Sequence, residues 1–179
     1  MNKNDFRTYI AVTGTYWGFT ISDGALRMLV LLHFHTLGFS PLDLAYLFLL
    51  YEATGVFSNF FGGWIGSRFG LRITLFVGLM TQILALILLS AVQPDWIASF
   101  SVIYVMLVQA FSGIAKDLTK MSSKSAVKFV IEEEDQGLLF KWIAILTGSK
   151  NAMKGLGFFL GGILLQFLGF DESLWLMSA

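Results

Sequence analysis

The chain has 179 residues, of which 56% are hydrophobic and 13% charged, with a mean hydropathy of +0.72, a formal net charge of zero and no cysteine. That balance excludes an ordinary soluble domain, and the missing cysteines exclude a disulfide framework or a thiolate metal site. Uncharged apolar runs such as Ile73 to Val92 and Trp96 to Ala115 exceed what a soluble core helix needs, and 18 glycines scattered through such runs suit helices packed closely in lipid.

The chain opens on a polar tail, MNKNDFRT, carrying Lys3 and Arg7, and then turns apolar. A secretory signal is the competing reading, but the apolar stretch outruns a signal's hydrophobic region and has no A-x-A-like cleavage site. It is expected to be helix 1, over 9–37. Thr13, Tyr16, Thr20, Asp23 and Arg27 recur at alternating spacings of three and four, a polar stripe on one face, where Asp23 and Arg27 can pair within the helix. Gly38 ends the helix, and Ser40-Pro41-Leu42-Asp43 supplies an N-cap, a first-turn proline and an acid at the positive dipole end of the next.

Helix 2 is expected over 41–66, with Glu52, its single buried acid, on a face shared with Gly55, Asn59 and Gly66. Helix 3, 71–92, has no charged residue from Ile73 to Val92 and reads as lipid-facing. Gln93-Pro94-Asp95 turns the chain into helix 4, 96–117, which carries Gln109, Gly113 and Lys116. A solvated or headgroup-level connection is expected over 118–136. From Lys116 at the end of helix 4, Lys120, Lys124 and Lys128 continue through it at four-residue spacing and the acids of IEEED follow. This lysine ladder suits lipid headgroups better than nucleic acid. Helix 5 is expected over 137–169, and 173–179 begins a sixth helix too short to span.

Lysine and arginine fall in the tail, the second loop (Arg68, Arg72) and the fourth, and not in the other three loops. The positive-inside rule therefore places the N-terminus in the cytoplasm. Five crossings and the start of a sixth read as a fragment of a longer chain. A weak internal echo, SDGALR at 22–27 against SGIAKD at 112–117 in the opposite half-depth, is what an inverted repeat would give, although small residues and charges recur by chance as readily.

The strongest chemical signal lies in helix 5, where Lys150 and Lys154 sit near mid-depth. A cation there costs about 3 kcal/mol on insertion scales, so such residues usually face a bundle interior or aqueous cavity and mark a pathway. Spaced i,i+4, they share a face and repel unless something negative lies opposite. That partner could be a structural carboxylate, from Glu52, Asp23 or a missing half, or an anionic substrate. Glu52 could couple protons or serve as a counter-ion; the counter-ion reading is preferred. His33 and His35 point about 200° apart on a helix, which disfavours a shared metal. No catalytic constellation, cofactor motif or phosphate loop is present, so an enzyme is not expected.

Gly63-Trp64-Ile65-Gly66-Ser67-Arg68-Phe69-Gly70-Leu71-Arg72 resembles the G-x-L-x-D-R-x-G-x-R loop of the major facilitator superfamily, with Ser67 at the acidic position. Gln109 to Gly113 sits where that family often has R-x-x-Q-G, and Gly157 to Gly162 looks like its helix 5 G-P-x-x-G-G element, with Phe158 for proline. The resemblance covers essentially the whole chain. It implies an all-α, polytopic membrane protein, the N-terminal six-helix half of a twelve-helix transporter working by alternating access. It also implies a gating role for Gly63, Arg68, Gly70 and Arg72 and a packing role for Gly157, Gly161 and Gly162.

Closer still, the runs from Tyr16 to Leu42, Ser112 to Lys128 and Thr147 to Gly162 look like the organoarsenical efflux permeases of bacterial arsenic-resistance operons. That implies a bacterial inner-membrane exporter of arseno-phosphoglycerate, functionally linked to a glyceraldehyde-phosphate dehydrogenase, with the bilayer and a C-terminal half as further partners. The expected substrate-binding set is Asp23, Arg27, Glu52, Gln109, Lys150, Asn151 and Lys154. Alternatives are a proton-coupled exporter of another organic anion or drug, and an inactive fragment.

Overall fold

The structure, a computed structural model, describes residues 3–130 and 136–179, with side chains omitted at 3–6, 59, 60, 62, 127–130, 136, 138 and 139. The side chains of Asn59 and Lys128 and the acids of 132–135 thus lie outside the described residues. The described chain is all-helical: α1 (Lys3–Thr36), α2 (Pro41–Leu47), α3 (Leu49–Phe69), α4 (Leu71–Leu89), α5 (Ala98–Val130), α6 (Gln136–Leu168) and α7 (Phe170–Ser178). α1 packs chiefly along α6, and α5 lies between α3 and α4 while also touching α1.

Among the described residues α4, α5 and α6 are long and apolar enough to cross a membrane, and the pieces Pro41–Ser58 and Gly63–Phe69, set at 58° to each other, make a fourth such span if they count as one. α1, with 34 residues, is long enough, but its polar stripe keeps it out of that set.

Local chemistry explains the turns. Ser40 and Asp43 form a reciprocal capping box at the start of α2, with Pro41 in the first turn. Gly70 joins α3 to α4 at a φ of 84°, a conformation that glycine adopts without steric cost. The expected unbroken helix 2 is divided at Phe48, whose N–H turns back to the Ala45 carbonyl at 3.3 Å. Neither proline nor glycine sits at that break; instead the Phe48 ring lies under the Arg27 guanidinium, 5.2 Å away.

The larger correction concerns the connection drawn over 118–136. α5 runs without interruption to Val130, and Asp117, Leu118, Thr119, Ser122 and Ser123 are buried. The physical reason is close packing of small residues. A Cβ on Gly78 of α4 would come within 2.7 Å of Thr119 Oγ1, and one on Gly55 of α3 within 2.9 Å of Asp117 Oδ2. Hydroxyl-rich sequence, which looks like a loop, here lines helix–helix seams. Lys120 and Lys124 are consequently helix residues rather than loop charges, on the helix that was already expected to hold Lys116.

Two apolar clusters bracket the middle of the bundle. One holds Leu26, Leu29, Val30 and Phe34 of α1 with residues of α2, α4, α5 and α7. The other, near the start of α1, holds Tyr9, Tyr16 and Leu146, with Trp17 and Trp142 against them. The polar part of α1 lies between these clusters, and the candidate site is built there.

Candidate substrate cavity

A cavity of about 310 Å³ opens between α1, α3, α5 and α6. α1 contributes Tyr16, Thr20, Asp23 and Arg27; α3 contributes Glu52 and Gly55; α5 contributes Lys116, Asp117 and Lys120; α6 contributes Lys150 and Lys154. The three-and-four spacing on α1 and the four-residue spacing on α5 and α6 turn one face of each helix toward this space.

Tyr51 sits beside the cavity and organises its charges. It is fully buried and donates its hydroxyl to Asp23 Oδ1 at 2.6 Å. Its ring carries Arg27 on one contact, 4.5 Å from guanidinium carbon to centroid, and Lys116 Nζ on another at 4.1 Å. The expected Asp23–Arg27 pair within α1 is therefore replaced. Asp23 is claimed by Tyr51, and Arg27 reaches across to Glu52 Oε1 at 3.1 Å.

Glu52 also meets Lys116 Nζ at 3.5 Å, so one carboxylate faces two cations. It is not the buried acid expected of helix 2: its side chain is 59% exposed, because it points into the open cavity rather than into packing. The acid that is buried is Asp23, only 3% exposed. On α5, Lys120 pairs with Asp117 at 3.8 Å.

The α6 lysines differ. Among the described residues neither Lys150 nor Lys154 has a carboxylate at ion-pairing distance, and Lys154 Nζ stands 5.7 Å from the Phe158 ring centroid. Counting the lining residues, five bases face three acids, an excess of two positive charges when all are ionised.

Other expected residues fall elsewhere. Gln109 is fully buried and off the cavity, and its side-chain amide has no hydrogen-bond partner among the described residues. Asn151 is exposed and also off the cavity, about 100° around α6 from Lys150. Gly63 lines a separate cavity of about 210 Å³ with Ser67, Leu71, Met121, Ser122 and Ser125. Ser67, at the position where the motif has an acid, bonds back to the Trp64 carbonyl at 2.8 Å. Arg68 lies over Trp64, 5.6 Å from its centroid, and Arg72 is exposed at the start of α4.

Gly157 and Gly161 hold α6 against α1. A Cβ on either would collide with α1 backbone, the Ile21 carbonyl in one case and the Ala25 carbonyl in the other. Gly162 is looser, its nearest neighbour being the Leu32 side chain at 3.8 Å from such a Cβ. The two echoing segments also share this space. Asp23 and Arg27 from one, and Lys116 and Asp117 from the other, line the same cavity, while Gly24 and Gly113 each mark a tight helix approach.

A sequence profile described as Major Facilitator Superfamily matches residues 8–179, nearly the whole chain. The chain belongs to the major facilitator superfamily. No curated protein matches it closely enough to name a nearer relative. Members of this superfamily are membrane transporters, and the all-helical chain fits part of that fold.

Sequence reasoning missed Tyr16, Thr20, Tyr51, Lys116, Asp117 and Lys120 as neighbours of this cavity. One signal for the α5 pair was available: Lys116 and Lys120 repeat the spacing of Lys150 and Lys154. For Tyr51 the signal was weaker, a lone phenol beside Glu52 in an apolar helix.

Proposed function

We propose that this superfamily member exports an organic anion by alternating access, the anion binding in the cavity at Arg27, Lys150 and Lys154. The observation that carries the reading is the imbalance of five bases against three acids in one cavity, with both α6 lysines lacking a protein carboxylate among the described residues. Half-buried cations without a carboxylate partner are costly in a bilayer, and a multiply charged oxyanion offers them charge-assisted hydrogen bonds. Arg27 suits such a head group through its planar fork and Lys150 and Lys154 as point charges.

The cargo suggested by the resemblance is an organoarsenical such as arseno-phosphoglycerate, supplied by a glyceraldehyde-phosphate dehydrogenase. The setting is a bacterial inner membrane with the N-terminus cytoplasmic, and a second six-helix half would close the cavity. With Lys116, Lys120, Lys124 and Lys128 all within α5, that orientation leans on Arg68 and Arg72 and on the N-terminal Lys3 and Arg7.

The test is uptake of the arsenate ester into everted vesicles bearing the wild type, Lys150→Met or Lys154→Met at matched protein levels. Loss of uptake in both variants is expected. Unchanged uptake in both would remove the lysines from the site, and no uptake by the wild type would remove this cargo.

A further inference from the structure

Arg27 and Lys154 belong to two cavities at once. Adjoining the charged space lies a second, open-sided chamber of about 320 Å³, whose other lining residues are Met28, Leu31, Phe48 and Phe158. Each shared cation stands over an aromatic wall of this chamber, Arg27 5.2 Å from the Phe48 centroid and Lys154 5.7 Å from that of Phe158. Apart from the two cations, no lining side chain of the second chamber donates or accepts a strong hydrogen bond.

These features specify a ligand. A hydroxylated carbon skeleton entering the chamber would shed water and find nothing to replace it, whereas an apolar group would gain by leaving water. Room is adequate: a cavity of about 150 Å³ suffices for benzene. The cations at the boundary would hold an oxyanion while leaving its organic part free to extend over Phe48 and Phe158.

We infer that the site is bipartite: the oxyanion head group is held between Arg27 and Lys154, and an aryl or branched alkyl group attached to it occupies the chamber of Met28, Leu31, Phe48 and Phe158. This rests on the organic-anion reading and narrows it, favouring carbon-rich oxyanions over hydroxylated ones such as the phosphoglycerate ester.

The experiment titrates the purified chain with methylphosphonate, phenylphosphonate and 3-phosphoglycerate by calorimetry. The two phosphonates share a head group and differ in the apolar part. Phenylphosphonate is expected to bind at least about tenfold tighter than either comparator. Leu31→Asn, and independently Met28→Thr, should cut that advantage to about threefold or less while leaving methylphosphonate affinity and thermal unfolding unchanged. Equal affinity for the two phosphonates, or a phenyl advantage that survives both substitutions, overturns the bipartite site but leaves the organic-anion reading standing, because methylphosphonate still binds. Failure of all three anions to bind removes that underlying reading and this inference with it.

Discussion

Two lysine pairs with the same four-residue spacing face one cavity from opposite helices, and they have different fates. On α5, Lys116 is neutralised by Glu52 at 3.5 Å and Lys120 by Asp117 at 3.8 Å. On α6, Lys150 and Lys154 meet no carboxylate at such range among the described residues. The difference comes from what lies across each seam. α5 faces the Glu52 side of α3, whereas α6 faces a stretch of α1 whose one acid, Asp23, is already held by the Tyr51 hydroxyl. Spacing tells which cations share a face; only the opposing helix tells which of them remain available to a ligand.

The contrast depends first on α6 lying directly against α1, so the largest effect should come from wedging them apart. Gly161→Val would drive a branched side chain into the Ala25 backbone, where no flexible side chain can give way. Overpacking costs about 3 kcal/mol at the upper end of its usual range, and backbone on the receiving side puts this site there. Thermal unfolding in detergent should show a loss of cooperative unfolding or a large fall in midpoint. Gly162→Val, facing the Leu32 side chain at 3.8 Å, should be far milder. Equal behaviour of the two would deny the glycine seam its role.

Next comes the group that keeps Asp23 away from the α6 lysines. Tyr51→Phe removes the only hydrogen bond found for the Asp23 side chain among the described residues and leaves a buried carboxyl unsatisfied. Leaving such a group without its donor costs about 1–3 kcal/mol. It also frees Asp23 to turn toward Lys154, so anion affinity should fall along with stability. A variant as stable as wild type, with unchanged affinity, would show that Tyr51 does not hold Asp23 in place.

Much of this architecture was legible in the residues. The apolar runs and the punctuation at Gly38 and Pro41 mark helix ends, and the motif around Gly63 to Arg72 points to the superfamily that the profile match establishes. What escaped was the far half of α5. Ser122, Ser123 and Thr119 read as a loop because hydroxyls usually seek water or turns, whereas all three are buried on α5 and Gly78 of α4 lets Thr119 pack at helix–helix contact. The charge network escaped for a related reason. Helical spacing placed Arg27 beside Asp23 on one face, but the competing partners, Glu52 and Tyr51, lie on another helix some 25 residues along the chain, beyond what periodicity can see.

Directly across the comparison, neutralising single lysines should separate the pairs. Lys154→Met or Lys150→Met should weaken phosphonate binding about tenfold, the loss of one charge-assisted contact of about 1.4 kcal/mol. Lys120→Met should weaken it about threefold or less, because Asp117 already offsets that charge. Raising ionic strength should shrink both effects, since the cavity is open to solution. An equal loss from α5 and α6 variants would mean that the ion pairs on α5 do not distinguish the two ladders.

The smallest expected effect is also the one whose sign is most informative. Glu52→Gln keeps the shape of the side chain but removes a charge that offsets Arg27 and Lys116 together. If the cavity exists to hold an anion, taking away this carboxylate leaves three uncompensated positive charges in place of two and should tighten phosphonate binding about threefold, a modest gain because Glu52 is largely solvent-exposed. Tighter binding without new contacts slows release, so transport at saturating substrate should fall even as affinity rises. If Glu52 instead serves only to hold α1, α3 and α5 together, the same substitution would loosen the cavity and weaken binding. A calorimetric affinity measured beside vesicle transport therefore separates a counter-ion that tunes release from a strut that shapes the site.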